Sequence, residues 1–325
     1  MRGRLALAAT IGALPVTVAL SLSVGPYRDV NFLTVLGVAI GVVSGGVSFD
    51  VLMYRAVRTL AAALLGAGLA AAGSTLQFTV RNPLADPYLT GMASGSLLGV
   101  TLALLAGRST FLGLYSAALA GGLATLAAVI AVSSLAGGGP TTLLVTGVAF
   151  SYVISGVTMF LMIDLGPRLP GALYWMFGSV AFVTMPLVIR TLVVVLASIT
   201  ALLLLSRPLN SLLLGDDVAR AIGVRVRAVR VVAFTLASLI TASLVAMAGP
   251  VGFVGLAAPW LSKRAFGVKF GLNLATSAVI GAELTLASDV VARVILYPSE
   301  APLTAVTSVF GAPLLVYILL KSRGD

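Results

Sequence analysis

The chain has 325 residues, of which 59% are hydrophobic and 9% charged, and its mean hydropathy is +1.13. Soluble domains carry about 25% charged residues, so this composition lacks the polar surface to face water on all sides. The net charge is +10, but the basic residues form no stripe and neither cysteine nor histidine is present, so nucleic-acid binding, disulfides, thiolate metal sites, a cofactor and catalysis are not expected.

The apolar runs are long enough to cross a bilayer core of about 30 Å, which takes roughly 20 helical residues. Alternating segments of barrel type are absent, and backbone groups in lipid must bond within their own segment, so the runs are read as helices. The first spans 5–24, after Arg2 and Arg4. A cleaved leader with Ser21-Leu22-Ser23 at its end is the alternative, but a leader core of 7–15 residues is shorter than this run. Residues 25–50, with Arg28, Asp29 and the Gly45-Gly46 pair, are read as an external loop with a partly buried element. Further helices are expected at 57–78, 88–106, 111–133, 141–163, 187–206, 228–248, 251–265, 271–292 and 302–320, ten in all. Between the fifth and sixth, prolines bracket Tyr174 to Phe177, the pattern of a short half-inserted helix. The predicted class is an all-α membrane protein in a single transmembrane domain, 1–325.

With ten helices and an inner start, both termini lie in the cytoplasm. Thirteen Lys and Arg residues then fall inside and seven outside, the direction that topology requires. Arg55 and Arg58, placed just before the second helix, and Arg293, just after the ninth, are exceptions on the outer side. Snorkelling to lipid phosphates explains such placement, and Asp289 can pair with Arg293 at i+4. Glu283 falls within the ninth helix, where an ionised acid is costly, and is read as a packed or neutral group rather than a transport group.

One cytoplasmic connection is substantial. Residues 207–227 hold an apolar stretch through Leu213, a break at Gly215, and a second short helix that Asp216 or Asp217 could cap. Val218, Ala221 and Ile222 share a face of that helix, and Gly223 supplies a left-handed stop before Val224. The result is an elbow of two short helices, either a structured surface loop or a docking knob for a soluble partner. No phosphate-binding GxxxxGK[ST] sequence exists to drive such a knob from within the chain. Asn82-Pro83-Leu84-Ala85-Asp86 forms a turn that leads into the third helix.

The run 54–95, which contains RNPLADPYLTGMASG, resembles the permeases of iron-siderophore and cobalamin importers, the FecCD type of ABC transporter. Blocks 143–156, 174–180, 209–259 and 303–321 agree in the same order. The resemblance implies a homodimer of type II importer permeases in membrane lipid, with two ATP-hydrolysing subunits and an external binding protein as partners. It implies that Leu213, Gly215, Asp216, Asp217, Ala219, Arg220, Gly223 and Val224 meet the ATPase. It makes Asn82, Pro83, Leu84 and Thr141 a cytoplasmic gate, and it gives Arg55, Arg58 and Arg293 to binding-protein docking. Ferric siderophore is the first expectation for the substrate, with cobalamin, haem and molybdate behind it. The chain departs from the pattern at Trp260, at Glu283 and in the Gly137–Pro140 loop, and residues 1–50 match poorly. A secondary transporter or channel, or a scaffold, is the competing class.

Overall fold

The computed structural model describes residues 2–25, 27, 30–39, 45–108, 110–297 and 299–321, and all regular structure among them is helical. Ten helices correspond to the expected spans. They are α1 (Arg2–Ser23), α3 (Val47–Thr79), α4 (Met92–Leu105), α5 (Phe111–Leu135), α6 (Pro140–Ile163), α8 (Met185–Leu204), α11 (Val226–Ala248), α12 (Val254–Phe266), α13 (Phe270–Val294) and α14 (Leu303–Lys321). Four short ones complete the set: α2 (Phe32–Ala39), α7 (Leu169–Met176), α9 (Ser206–Leu212) and α10 (Asp216–Ala221). Among the described residues, six of the long helices are apolar and long enough to cross a bilayer.

The antiparallel pair α3 and α13 forms the centre of the bundle. From the C-terminal end of α3 back toward its start, Phe78 meets Phe270 edge-on at 5.2 Å, Ser74 donates to Asn273 at 2.6 Å, and Arg58 pairs with Asp289. Midway, Gly66 and Gly281 bring the two backbones together, since a Cβ on either would strike the other's carbonyl oxygen. A second close approach lies between Gly73 and Gly255 of α12. Small residues at crossings are the usual route to close packing where lipid offers no hydrophobic drive between helices. Asn273 also donates to the Pro259 carbonyl and the Ser262 hydroxyl, so one buried amide ties α3, α12 and α13.

One expectation needs correction. The second expected helix starts at Val47, ten residues earlier than the sequence suggested, and at about 1.5 Å per residue its 33 residues reach about 50 Å. Arg55 and Arg58 therefore lie within the helix; they do not mark its start. The segment after α1, read as an external loop with a partly buried element, contains the short helix α2, whose Phe32 and Leu33 are exposed and whose Thr34 and Val35 are partly buried. Arg28, Asp29 and residues 40–44 lie outside the described residues.

Candidate functional site

The 207–227 connection folds as α9 and α10, joined at Gly215, which has φ +110°. Neither aspartate caps α10, contrary to expectation. Gly215 occupies the cap position without a side-chain bond, and Asp216 is instead the first helical residue. Its carboxylate accepts from the Arg230 guanidinium at 2.9 and 3.0 Å and lies 3.2 Å from the Arg81 guanidinium. Asp217 and Arg220 form an exposed pair one turn apart. Ala219 is buried, whereas Val218 and Ile222 are 47% and 60% exposed, so the apolar side of α10 faces away from the bundle. Leu213 is also exposed, and Gly223 takes φ +86°, the left-handed stop before Val224.

Arg230 was missed as a site residue because a basic residue at an inner helix end reads as a topology signal. The available clue was its register. It lies on the same face of α11 as Val226, Ala233, Phe234 and Ala237, all buried, and is itself 3% exposed. Its Nε also points at the Thr79 carbonyl at the last residue of α3, 3.4 Å away.

The Asn82–Asp86 turn follows directly from Arg81, which takes φ +54°, a left-handed conformation unusual for a side chain of its size. Asn82 and Asp86 order the turn locally: the Asn82 side-chain oxygen accepts from the Leu84 amide at 2.9 Å, and Asp86 accepts from the Tyr88 amide at 2.8 Å. Burial pushes the Asp86 carboxyl up to about 6. Asn82, Pro83 and Leu84 are exposed, as is Thr141 in the first turn of α6. The 3-10 turn Pro87–Thr90 then packs against α6 at Gly147, where an added Cβ would meet the Leu89 carbonyl. Tyr88, also missed from sequence, donates its hydroxyl to the Val251 carbonyl at 3.0 Å and accepts from the Val251 amide at 2.7 Å. That one hydroxyl pins the turn to the α11–α12 connection.

The three outer arginines are not the exposed cations that the sequence suggested. Arg55, Arg58 and Arg293 are each 3% exposed or less. Arg55 gathers the carbonyls of Leu22, Ser23, Tyr27 and Val30 at 2.8–3.0 Å and so fastens the segment after α1 onto α3. Arg58 pairs with Asp289 at 2.8 Å and Glu300 at 2.7 Å, and Arg293 pairs with Asp289 and donates to the Ser21 carbonyl at 2.6 Å. The physical reason is pairing: guanidinium groups bonded to carboxylates and carbonyls can sit inside a helix bundle, as Arg55 and Arg58 do within α3 and Arg293 in the last turn of α13, so their charge does not mark an open surface.

Glu283 accepts from the Thr17 hydroxyl at 2.6 Å and faces α1. Trp260 lies beneath the Arg264 guanidinium, 5.5 Å from its ring centre. Among the described residues no group of three or more carboxylates is placed to hold a metal.

A family model described as the FecCD transport family matches residues 13–321. This chain belongs to the FecCD transport family. It is 35% identical over 266 residues to the cobalamin import system permease protein BtuC of Halobacterium salinarum, covering 82% of this chain and 72% of the relative. It is 34% identical over 279 residues to the Fe(3+) dicitrate transport system permease protein FecC of Escherichia coli, covering 83% and 82%. Its fold matches a solved structure assigned to the metal-chelate type of ABC transporter, in an inward-facing conformation, with a TM-score of 0.84 at 31% identity over 97% of this chain and 98% of that one. As a FecCD permease the chain is a multi-pass membrane subunit of an ABC importer, a class that works with an ATPase and a substrate-binding protein.

Proposed function

We propose that this permease carries a metal chelate, with ferric siderophore first and cobalamin, haem or molybdate behind it, as one half of a two-fold importer. Relatives named for iron(3+)-hydroxamate, ferric enterobactin and Fe(3+) dicitrate support the iron reading. Both termini face the cytoplasm, in keeping with the charge asymmetry. Two ATP-hydrolysing subunits meet the elbow at Leu213, Gly215, Asp216, Asp217, Ala219, Arg220, Gly223 and Val224, and Asn82, Pro83, Leu84 and Thr141 narrow the inner end of the path. Lipid surrounds the dimer, and an external binding protein delivers the chelate.

The observation that carries this reading is the outward apolar side of α10. Two large aliphatic side chains exposed on a six-residue helix, flanked by the exposed Asp217–Arg220 pair, form a surface that a soluble partner would cover. Reconstitution in vesicles with the co-purifying ATPase and the binding protein is the test. ATP-dependent uptake of a ferric siderophore is expected. Uptake driven by an ion gradient without ATP would overturn the reading.

A further inference from the structure

The elbow and the gate turn are not adjacent in sequence, yet they share one carboxylate. Asp216 opens α10, and its Oδ1 receives Arg230 at 2.9 Å and Arg81 at 3.2 Å. Arg230 is anchored: it is buried, holds both carboxylate oxygens, and points its Nε at the end of α3. Arg81 is different. Its side chain is 37% exposed, it lies over Gly215, and the next residue along the chain is Asn82 of the gate turn. The turn is continuous with Tyr88, whose hydroxyl grips the Val251 backbone from both sides.

We propose that Asp216 is a positioning residue that transmits movement of the elbow to the gate, with Arg81 as the gate-side branch and Arg230 as the frame-side branch. This rests on the reading of the elbow as the ATPase surface. A displacement of α10 shifts Asp216 against the fixed Arg230, and the second ion pair draws Arg81 along. Because Arg81 already sits in a left-handed conformation, its backbone is the strained joint at which the turn can reorient. A link of this kind needs a demonstrated coupling, not mere proximity.

The first experiment needs no partner. Hydrogen exchange of the Leu84 and Ala85 amides, which bond to the Asn82 side chain and carbonyl, reports the order of the gate turn. The elbow is perturbed with Gly223→Val, in the full chain in lipid discs. Coupling energies between sites typically correspond to about 5- to 150-fold. Exchange at the two amides should therefore rise at least about fivefold when Arg81 is present. In an Arg81→Met background, which leaves the buried Arg230 pair intact, the same perturbation should change it by less than about twofold, and Arg81→Lys should restore the response. Equal responses in the Arg81 and Arg81→Met chains, or none in either, overturn the proposal. The second experiment uses the reconstituted importer. Arg81→Met should keep ATPase docking and hydrolysis but lower the chelate imported per ATP by at least about fivefold. Unchanged import per ATP overturns the proposal as well. A wild-type chain that binds no ATPase defeats the functional reading instead, while the exchange experiment still decides the link through Asp216.

Discussion

Two clusters of arginine and carboxylate sit toward opposite ends of α3, one around Arg58 within the helix and one just past Thr79, and they are built to different standards. At the outer end Arg58, Asp289 and Arg293 are all 4% exposed or less, and only Glu300 reaches solvent, at 24%. At the inner end exposure is graded, from 4% at Arg230 through 21% at Asp216 to 37% at Arg81. A charge that is fully desolvated is held by its partner, because leaving that partner strands it in a medium where charge is costly. A charge at the water edge can exchange its partner for solvent at little cost. The outer cluster is therefore a fastening, and the inner one a joint.

The largest effect should come from breaking the fastening. Asp289→Asn leaves Arg58 and Arg293 buried without their shared carboxylate, and should destabilise the chain by about 3–5 kcal/mol. The check is a fall in the melting temperature of the solubilised protein and in the yield of folded chain. The next effect belongs to the inner side and is read by pH. With the Asp86 carboxyl raised to about 6 in the folded chain against an ordinary value near 3.9, its share of stability is greatest below about pH 4 and is lost as pH rises through about 6. The full swing is at most about 3 kcal/mol, reduced because Asp86 is only half-buried. Asp86→Asn should flatten that part of the stability–pH curve, and an unaltered curve would show that Asp86 titrates normally.

Smaller still, Gly223→Val places a β-branched residue at φ +86° and should cost about 1 kcal/mol or more while insertion in the membrane is retained. Uptake should then fall relative to ATP hydrolysis, and coupled uptake at the wild-type ratio would count against the elbow as the coupling surface. The smallest effect sharpens the contrast within the outer cluster. Glu300→Gln removes its partly exposed member and should cost about 1 kcal/mol or less, several-fold below Asp289→Asn in the same melting assay. Similar losses for the two would mean that the outer cluster has no buried centre.

How much of this was legible beforehand depends on what each signal measures. Helices such as α5 and α6 are continuous, largely apolar runs between glycine, proline or charged breaks, and hydropathy finds them because lipid acts on each residue separately. The start of α3 was misread because Arg55 and Arg58 look like the edge of a membrane helix. Their true setting depends on partners 25 to 242 positions away, such as Val30, Asp289 and Glu300, which no local window contains. The same limit hid Arg230 and Tyr88. The elbow was visible as two short helices about Gly215, because turn chemistry is local. The partner of Asp216 was not visible, so a bond to a distant arginine was mistaken for a cap.

One consequence follows from the contact of Gly66 with Gly281. Where two backbones touch, no side chains lie between them to rearrange, so α3 and α13 cannot slide or roll past each other without breaking that contact. A tilt of one helix is therefore shared by the other, and the pair acts as one beam through that crossing. The inner arm, from Gly66 to Thr79, measures about 20 Å and the outer arm, from Gly66 back to Val47, about 29 Å. Any tilt of the pair about that crossing would carry the Val47 end roughly half as far again as the Thr79 end.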